Sequence, residues 1–559
     1  MKNNKKVQAT RQNKRKDGML MQTLKENWLR IVITLVILTV VGAIINYLTL
    51  PAWTFKSVGF WFFIFAMLVV LAVIVSVIQF ASYDLEIAHY FWITAAAVLV
   101  VITLVAIFSS PLFYYDNYRE KVTIEEGDFY TEVVTVGDKL SIVDVGTAQK
   151  LGDRTIAKVK NSTWYEVDNE YNLIIYNGQY YRISPLNYGG LVKYWKAKSS
   201  GIPGYVLVNC QNQEATFVEC KTPYRYSPSA YFGMDLTRHL RRQYPSLILG
   251  KHFFEVDEEG NPYWITAIKD PTVGLWSNKV ERRFIITDAV TGKSNIYETA
   301  ELPEWVDHAF DLEYLTNAVT DYYKFVEGEG FFNTWFGKTG IFDLSYNYKN
   351  STFAGYNSTV TADGEVVFFT AVTPANRTES ILGFVQMSPR TGEVKFFSVS
   401  GAEEESAQKA AQSLTQNFGY VANYPTVINV HGIPTYFMML KDEAGLVQRY
   451  ALVNVANYTI AVEDTSLNGA VTKYLAKVSP EEVPVQETNT KTGVIQNLYE
   501  AQIDGYTYYY FTFESDENLY MSSITNSNRQ VLLETGMRVT IEYTDSTEVG
   551  VLMVTKISF

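Results

Sequence analysis

Cysteine is nearly missing from this chain of 559 residues: Cys210 and Cys220 are the whole supply. That excludes a disulfide-stapled secreted scaffold, whose small cores need several bridges. A bridge between the two is not implied, because Cys210 falls at the tip of a hairpin described below and Cys220 past its far strand. Histidine is also scarce, and His89, His239, His252, His308 and His431 are scattered. Neither H-E-x-x-H nor a Cys/His zinc spacing occurs, so no metal or cofactor is expected. A G-x-S-x-G nucleophile turn is missing as well. The phrase WFGKTG at 335–340 lacks the earlier glycine of a phosphate loop, because Phe332 stands in its place. The nearest approaches to an acid–base pair are His252 with Glu255 and His308 beside Asp307, all read as strand or loop residues. Asp257, Glu258 and Glu259 before Gly260 lack the twelve-residue calcium pattern and read as a turn. No catalytic residue is singled out, and the binding residues are left unassigned.

Three stretches lack something else. Residues 31–50, 58–80 and 90–108 contain no Asp, Glu, Lys or Arg. Each is long enough to cross a hydrocarbon layer of about 30 Å as a helix, and none shows the polar face of a soluble helix. Residues 1–30 carry nine Lys and Arg against Asp17 and Glu26, which sets the N-terminus in the cytoplasm and suits anionic lipid. Lys56 in the first loop and Asp84 with Glu86 in the second run against that trend, but the first span dominates. Three spans then put everything after Pro111 outside a plasma membrane. The net charge of −12 combines +7 in the first 30 residues with −19 elsewhere. So acidic a remainder repels phosphate backbones and excludes nucleic acid as a partner. Spans without charged residues also argue against a transporter. Few cysteines and a short basic N-terminus without a cleavage site favour a bacterial protein.

What is present is a repeated phrase. VNCQNQEATFV, TDAVTGKSNIY, SPRTGEVKFFSV and VNVANYTIAV align on Tyr205, Phe284, Phe384 and Tyr450. Four residues later stand Asn209, Asp288, Ser388 and Asn454, which start turns by bonding their own backbone. Seven residues after the aromatic come Asn212, Thr291, Thr391 and Asn457. Gly292 and Gly392 then close hairpins, whereas Gln213 and Tyr458 at that place predict turns of different detail in the first and fourth copies. Phe217, Ile296, Phe396 and Val462 fall on the returning strands. Another strand precedes each hairpin, after a glycine turn. Upstream of it helices are expected over 145–159, 231–244, 311–326 and 402–418, the last from the stripe Ala407, Ala410, Ala411, Leu414 and Phe418. The anchors are 79, 100 and 66 residues apart, which speaks against a solenoid.

A helix followed by strands that end in DAVTGKSNIY or SPRTGEVKFF resembles the PepSY family, whose copies end in a similar D-x-x-T-G-E turn. The resemblance covers roughly residues 145–475. It implies extracytoplasmic modules that inhibit or hold peptidases or bind peptides. Together with the spans, the arrangement also resembles an uncharacterised family of multi-span Firmicutes membrane proteins.

The expected fold class is therefore an α+β ectodomain after three transmembrane helices, ending in a small all-β barrel. Its parts are a basic tail (1–30), spans (31–110), a connector (111–144), PepSY-like units (145–222, 223–304, 305–400, 401–475), a linker (476–490) and an OB-like barrel (491–559), with an SH3-like barrel as alternative. Residues 490–559 hold Lys491, Arg529, Arg538 and Lys556 against nine carboxylates, which argues against nucleic acid on the aromatic run Tyr506 to Phe513. A core and face built by Tyr508, Tyr510 and their neighbours is the plainer account. The leading functional expectation is a non-enzymatic surface binding or scaffolding protein. Its units form an extended stalk, and its partners are membrane lipid and an extracellular protein, peptide or cell-wall glycan; a homo-oligomer is compatible. The alternatives are a regulator of an extracellular peptidase and a membrane sensor.

Overall fold

The computed structural model describes residues 28–558 apart from 30–31, 81–85, 136–139, 326–339, 348–351, 354, 362, 375–379, 479–488, 504–505, 515, 524–532 and 546–550. Residues 335–339 of the WFGKTG phrase thus lie outside the described residues. Three helices open the chain: α1 (Val32–Thr49), α2 (Val58–Phe80) and α3 (Glu86–Phe108). Their most apolar windows reach mean hydropathies of 2.3, 3.0 and 2.7, and the protein itself buries little of them. Segments this apolar and this uncovered are what a bilayer accepts, so the chain is membrane-spanning by length and composition.

Four sheets follow, each holding one of the four hairpins. The first comprises β1 (Tyr165–Val167), β2 (Asn172–Tyr176), β3 (Gln179–Tyr188), β4 (Ile202–Asn209) and β5 (Ala215–Tyr224). The second comprises β6 (Leu249–Val256), β7 (Pro262–Val273), β8 (Ser277–Asp288) and β9 (Ser294–Glu298). In the third, β10 (Asn357–Val360), β11 (Val366–Pro374), β12 (Gly383–Met387) and β13 (Val394–Phe397) are joined by Phe342–Leu344 and by Ile124–Glu126. The fourth has β14 (Thr426–Val430), β15 (Ile433–Lys441), β16 (Val447–Asn454) and β17 (Ala461–Asp464), with Val421–Ala422 on its edge. Helices α4 (Val145–Thr155), α5 (Leu191–Ala197), α6 (Leu236–Gln243), α7 (Leu312–Lys324) and α8 (Glu404–Leu414) lie between and before them. Four of these fall inside the expected stretches. The fifth, α5, was not expected, nor was the helix Leu467–Val478, which occupies the start of the anticipated linker.

The repeated phrase repeats in space. In every copy the side chain four residues past the aromatic accepts the N–H three residues further on: Asn209 from Asn212 (3.1 Å), Asp288 from Thr291 (3.0 Å), Ser388 from Thr391 (3.1 Å) and Asn454 from Asn457 (2.8 Å). The first copy does not differ from the second and third, because Gln213 adopts the left-handed conformation of Gly292 and Gly392, with φ of 60° against 73° and 75°. The fourth does differ. Tyr205 faces Val218, Phe284 faces Tyr297 and Phe384 faces Phe397, but Tyr450 faces Asp464, so one extra residue sits in that turn.

Each hairpin turn also grips the segment that enters its own helix. The carbonyl of Cys210 accepts from Ile142, that of Ala289 from Arg225 and Tyr226, that of Pro389 from Ala309 and Phe310, and that of Val455 from Ala402, all at 2.8–3.0 Å. These four carbonyls occupy one position of the repeat, and the segments they hold lead toward α4, α6, α7 and α8. Such bonds satisfy backbone groups that a buried loop would otherwise leave unpaired.

Neighbouring sheets share cores. Leu173, Ile183 and Val206 pack with Phe254, Trp264 and Ile285. Ile265 and Phe284 pack with Phe368, Val385 and Met387. Phe369, Phe384 and Phe397 pack with Tyr436, Leu440 and Val453. Strands such as β11 are accordingly buried on both faces and read as near-continuous apolar runs. Residues 1–471 form one compact unit, which corrects the expectation of an extended stalk: open sheet faces are covered by the next sheet as well as by a helix. Helix α6 and the turn between β7 and β8 meet the ends of the spans, where Arg241 Nε donates to the Leu50 carbonyl (3.1 Å) and the Trp61 ring lies 6.2 Å from Trp276.

Residues 472–559 form a second unit. Its strands are β18 (Asn489–Ile503), β19 (Tyr506–Phe513), β20 (Asp516–Ser523), β21 (Arg538–Asp545) and β22 (Val551–Ser558). They pair in the order β18-β19-β20-β22-β21, and β21 returns to β18, so every strand has two partners. Tyr509, Phe511 and Phe513 alternate inward into a core with Tyr520, Val539 and Ile541, leaving Tyr508 and Tyr510 less buried. Three aromatics of the run are thus core residues.

Candidate functional site

Among the described residues, three clefts of about 270 Å³ open on the larger unit. In the second, Lys121 and Lys269 already hold Asp321 (2.6 Å) and Glu281 (3.7 Å). In the third, Lys251 holds Glu170 (3.0 Å). Lys279 in the second cleft is partly buried and has no ion pair among the described residues, and the first cleft differs in that its unpaired cation is an almost wholly buried arginine.

That cation is Arg182, in the middle of β3 and 2% exposed. Strand alternation points it away from the partly exposed Tyr181 into the space where the first and third sheets meet. Its Nε donates to the Val143 carbonyl (2.6 Å), Nη1 to the Tyr171 carbonyl (3.3 Å) and Nη2 to Ser358 Oγ (2.9 Å). All three acceptors are neutral, and among the described residues no carboxylate lies within ion-pair distance of it. A guanidinium taken out of water without a counter-charge costs several kcal/mol, a cost that neutral acceptors offset only in part.

The remaining walls come from three directions. Asp144, Val145 and Gly146 bring the start of α4, where Asp144 caps the Thr147 N–H (2.8 Å) and pairs with Lys441 (2.7 Å). Asn357 and Ser358 come from β10, and Asn423 and Tyr424 from the entry to the fourth sheet. Tyr424 is fixed by its hydroxyl, which donates to Glu404 (2.9 Å); Glu404 also accepts from Ser345 (2.7 Å) and the Ala371 N–H (2.9 Å). Burial pushes the Glu404 carboxyl above the usual range, while these three bonds hold it down. The cleft is therefore rigidly walled, polar at its rim and positive at its base.

Behind Arg182 lies a dry acidic cluster. Glu255 accepts from the His308 N–H (3.0 Å), and its Oε1 stands 3.5 Å from His308 Nδ1, beyond hydrogen-bond reach. Asp307 accepts from the Ile175 N–H (2.7 Å). Burial drives Asp307 up to about 7, and burial with the Asp307 charge drives Glu255 well above its ordinary value. Burial, then the charges of Arg182 and Lys251, lower His308 to about 3. Both acids are held toward their neutral forms beside a neutral imidazole. None of these three residues lines the three clefts.

The sequence pairs are thus re-sorted. His252 and Glu255 are three apart on β6 and so face opposite ways. His252 instead bonds Thr237 (2.9 Å) and Thr266 (2.8 Å), and burial lowers it to about 4. Glu255 meets His308. Asp257 spends its oxygens on its own turn, accepting from the N–H of Glu259 (3.1 Å) and of Asn261 (2.8 Å). Cys210 and Cys220 are free and buried, and burial raises both thiols, Cys220 to about 12, which leaves neither as a ready nucleophile. Arg182 escaped the sequence reading, although a lone charge inside the ten-residue strand QYYRISPLNY is the signal that could have found it. Compared with models of known protein families and with curated proteins, the chain matches none.

Proposed function

We propose that this chain is a membrane-anchored, extracytoplasmic binding protein without catalytic activity of its own, and that the Arg182 cleft takes the carboxylate of an extracellular peptide. The observation that carries the reading is the buried, anion-free guanidinium at the base of an open cleft. A carboxylate is the small planar anion that accepts two N–H bonds at a time from a guanidinium fork. Asn357, Asn423 and Tyr424 at the rim offer donors and acceptors for the adjoining peptide groups. The N-terminus is read as cytoplasmic from its nine cations, which puts the cleft outside the cell.

A second reading is favoured by the repeated hairpins. Turn bonds shared by all four copies support PepSY-like units, and with them a regulator that holds an extracellular peptidase. For the terminal unit, five short strands joined in the order β18-β19-β20-β22-β21, with β20 and β22 parallel, support an OB-like barrel.

The test uses the full-length protein in lipid nanodiscs and a pool of N-acetylated tetrapeptides, compared with the same pool C-terminally amidated. Retention of the free acids should exceed that of the amides at least about ten-fold, as one charge-assisted contact supplies. Arg182→Gln should abolish the preference. Equal retention of acids and amides by the unmutated protein would overturn the reading.

A further inference from the structure

An exposed apolar patch stands close to the outer end of α1, on a protein that is otherwise acidic. Leu191, Val192 and Trp195 on α5 are 48%, 71% and 59% exposed, and Phe232, whose ring lies 6.2 Å from Trp195, is 49% exposed. Tyr194 and Ala197 on the opposite face are buried, so α5 is anchored by one side and bare on the other. Around the bare side stand Lys193, Lys196 and Lys198, with no acidic residue between 189 and 200. Lys193 pairs with Glu166, and Lys198 lies 3.2 Å over the Trp195 ring, while Lys196 has no ion pair among the described residues.

The patch is tied to the membrane spans through α6. Six residues after Phe232, Arg238 donates to the Tyr47 carbonyl at the end of α1 and stacks 3.8 Å over the Tyr47 ring. Three residues further, Arg241 donates to the Leu50 carbonyl (3.1 Å). Six residues span at most about 20 Å even when extended, so Phe232 cannot stand far from the level at which α1 leaves the membrane. A Trp and aliphatic side chains ringed by lysines at that level have the composition of a segment lying in a headgroup layer.

We propose that α5 and Phe232 form a second membrane contact, in which Leu191, Val192, Trp195 and Phe232 enter the headgroup layer and Lys196 and Lys198 meet anionic lipid. The seat is independent of the Arg182 cleft. It fixes the compact unit on the bilayer, so that the spans do not act as a loose tether.

The experiment places a fluorescent NBD label on Val192→Cys, and in a second protein on the exposed loop position Ala444→Cys, in full-length protein reconstituted into nanodiscs. The nanodiscs carry nitroxide-labelled lipid, with either phosphatidylcholine alone or a mixture with 30% phosphatidylglycerol. Cys210 and Cys220 are buried and stay unlabelled in the folded protein. The label at 192 should be quenched at least three-fold more than that at 444, and Lys196→Glu with Lys198→Glu should reduce quenching about two-fold in the anionic discs. Equal quenching at 192 and 444 in both lipids would overturn the membrane seat. Quenching at 192 that ignores both lipid charge and the lysine changes would overturn the anionic contact. Quenching at 192 that is lost on addition of a second, unlabelled copy would assign the patch to self-association instead.

Discussion

Asp307, Glu255 and His308 give the protein a pH dependence of opposing parts. A carboxyl raised to about 7 in the fold and near 3.8 in the open chain holds its proton better when folded, so its contribution to stability falls as pH climbs through that window. His308, lowered to about 3 from 6.5, acts the other way: stability falls as pH drops below 6.5. Asp307→Asn keeps an oxygen for the Ile175 N–H, removes the part of Asp307 and relieves the share of the Glu255 shift that the Asp307 charge causes, leaving the part of His308 in place. Thermal melts of the nanodisc-embedded variant should show a gain of about 1 kcal/mol or more at pH 8 and little change near pH 4. At this scale the sequence was only half legible. His308, Asp307 and Glu255 stood out as residue types, but their pairing depends on strand alternation and on a loop fixed by Arg390, which donates to the carbonyls of Pro303 (2.9 Å) and Glu304 (2.8 Å). Arg182 went unseen because burial, not identity, makes it unusual.

Among elements, the hairpin turns show how a shared path can be written in different residues. Gln213 occupies a conformation that costs a side chain about 1–2 kcal/mol, while Gly292 and Gly392 occupy it freely. Gln213→Gly should therefore stabilise by about 0.5 kcal/mol, after allowance for the looser unfolded chain. Gly392→Ala should destabilise by about 2 kcal/mol or more, because its new Cβ would also come within 2.8 Å of the Phe310 ring. Denaturant melts of the two variants should move in opposite directions. The turns, the returning strands and four helices were legible because polar turn residues and 3.6-residue stripes are local signals. The identity of the first turn with the second and third was not, since glutamine gives no sign that it will turn left-handed. Nor was α5 legible: its seven residues are too few to show a stripe.

For the molecule as a whole, shared cores matter more than the number of copies. Sequence spacing located the four hairpins but could not show that Phe284 with Phe368, and Phe384 with Tyr436, would join the second sheet to the third and the third to the fourth. Side-chain pattern records that a face is apolar and leaves open what covers it. Ending the chain after Val471 should leave the main melting transition of the nanodisc-embedded protein within about 2 °C of its full-length value, because residues 1–471 form their own unit. A loss of more than about 10 °C would refute that independence. The strand Ile124–Glu126 has a different bearing. It pairs in parallel with β13, Ile124 beside Val394, about 270 residues later in the chain. At about 5–20 residues per second, synthesis reaches Val394 some 15–55 s after Ile124 is made. For that interval the strand Ile124–Glu126 has no partner strand to join, and the third sheet acquires this edge only after about 270 further residues have been made. That edge is thus closed late, and a ribosome stalled before β13 would leave an open strand for chaperones or proteases to find.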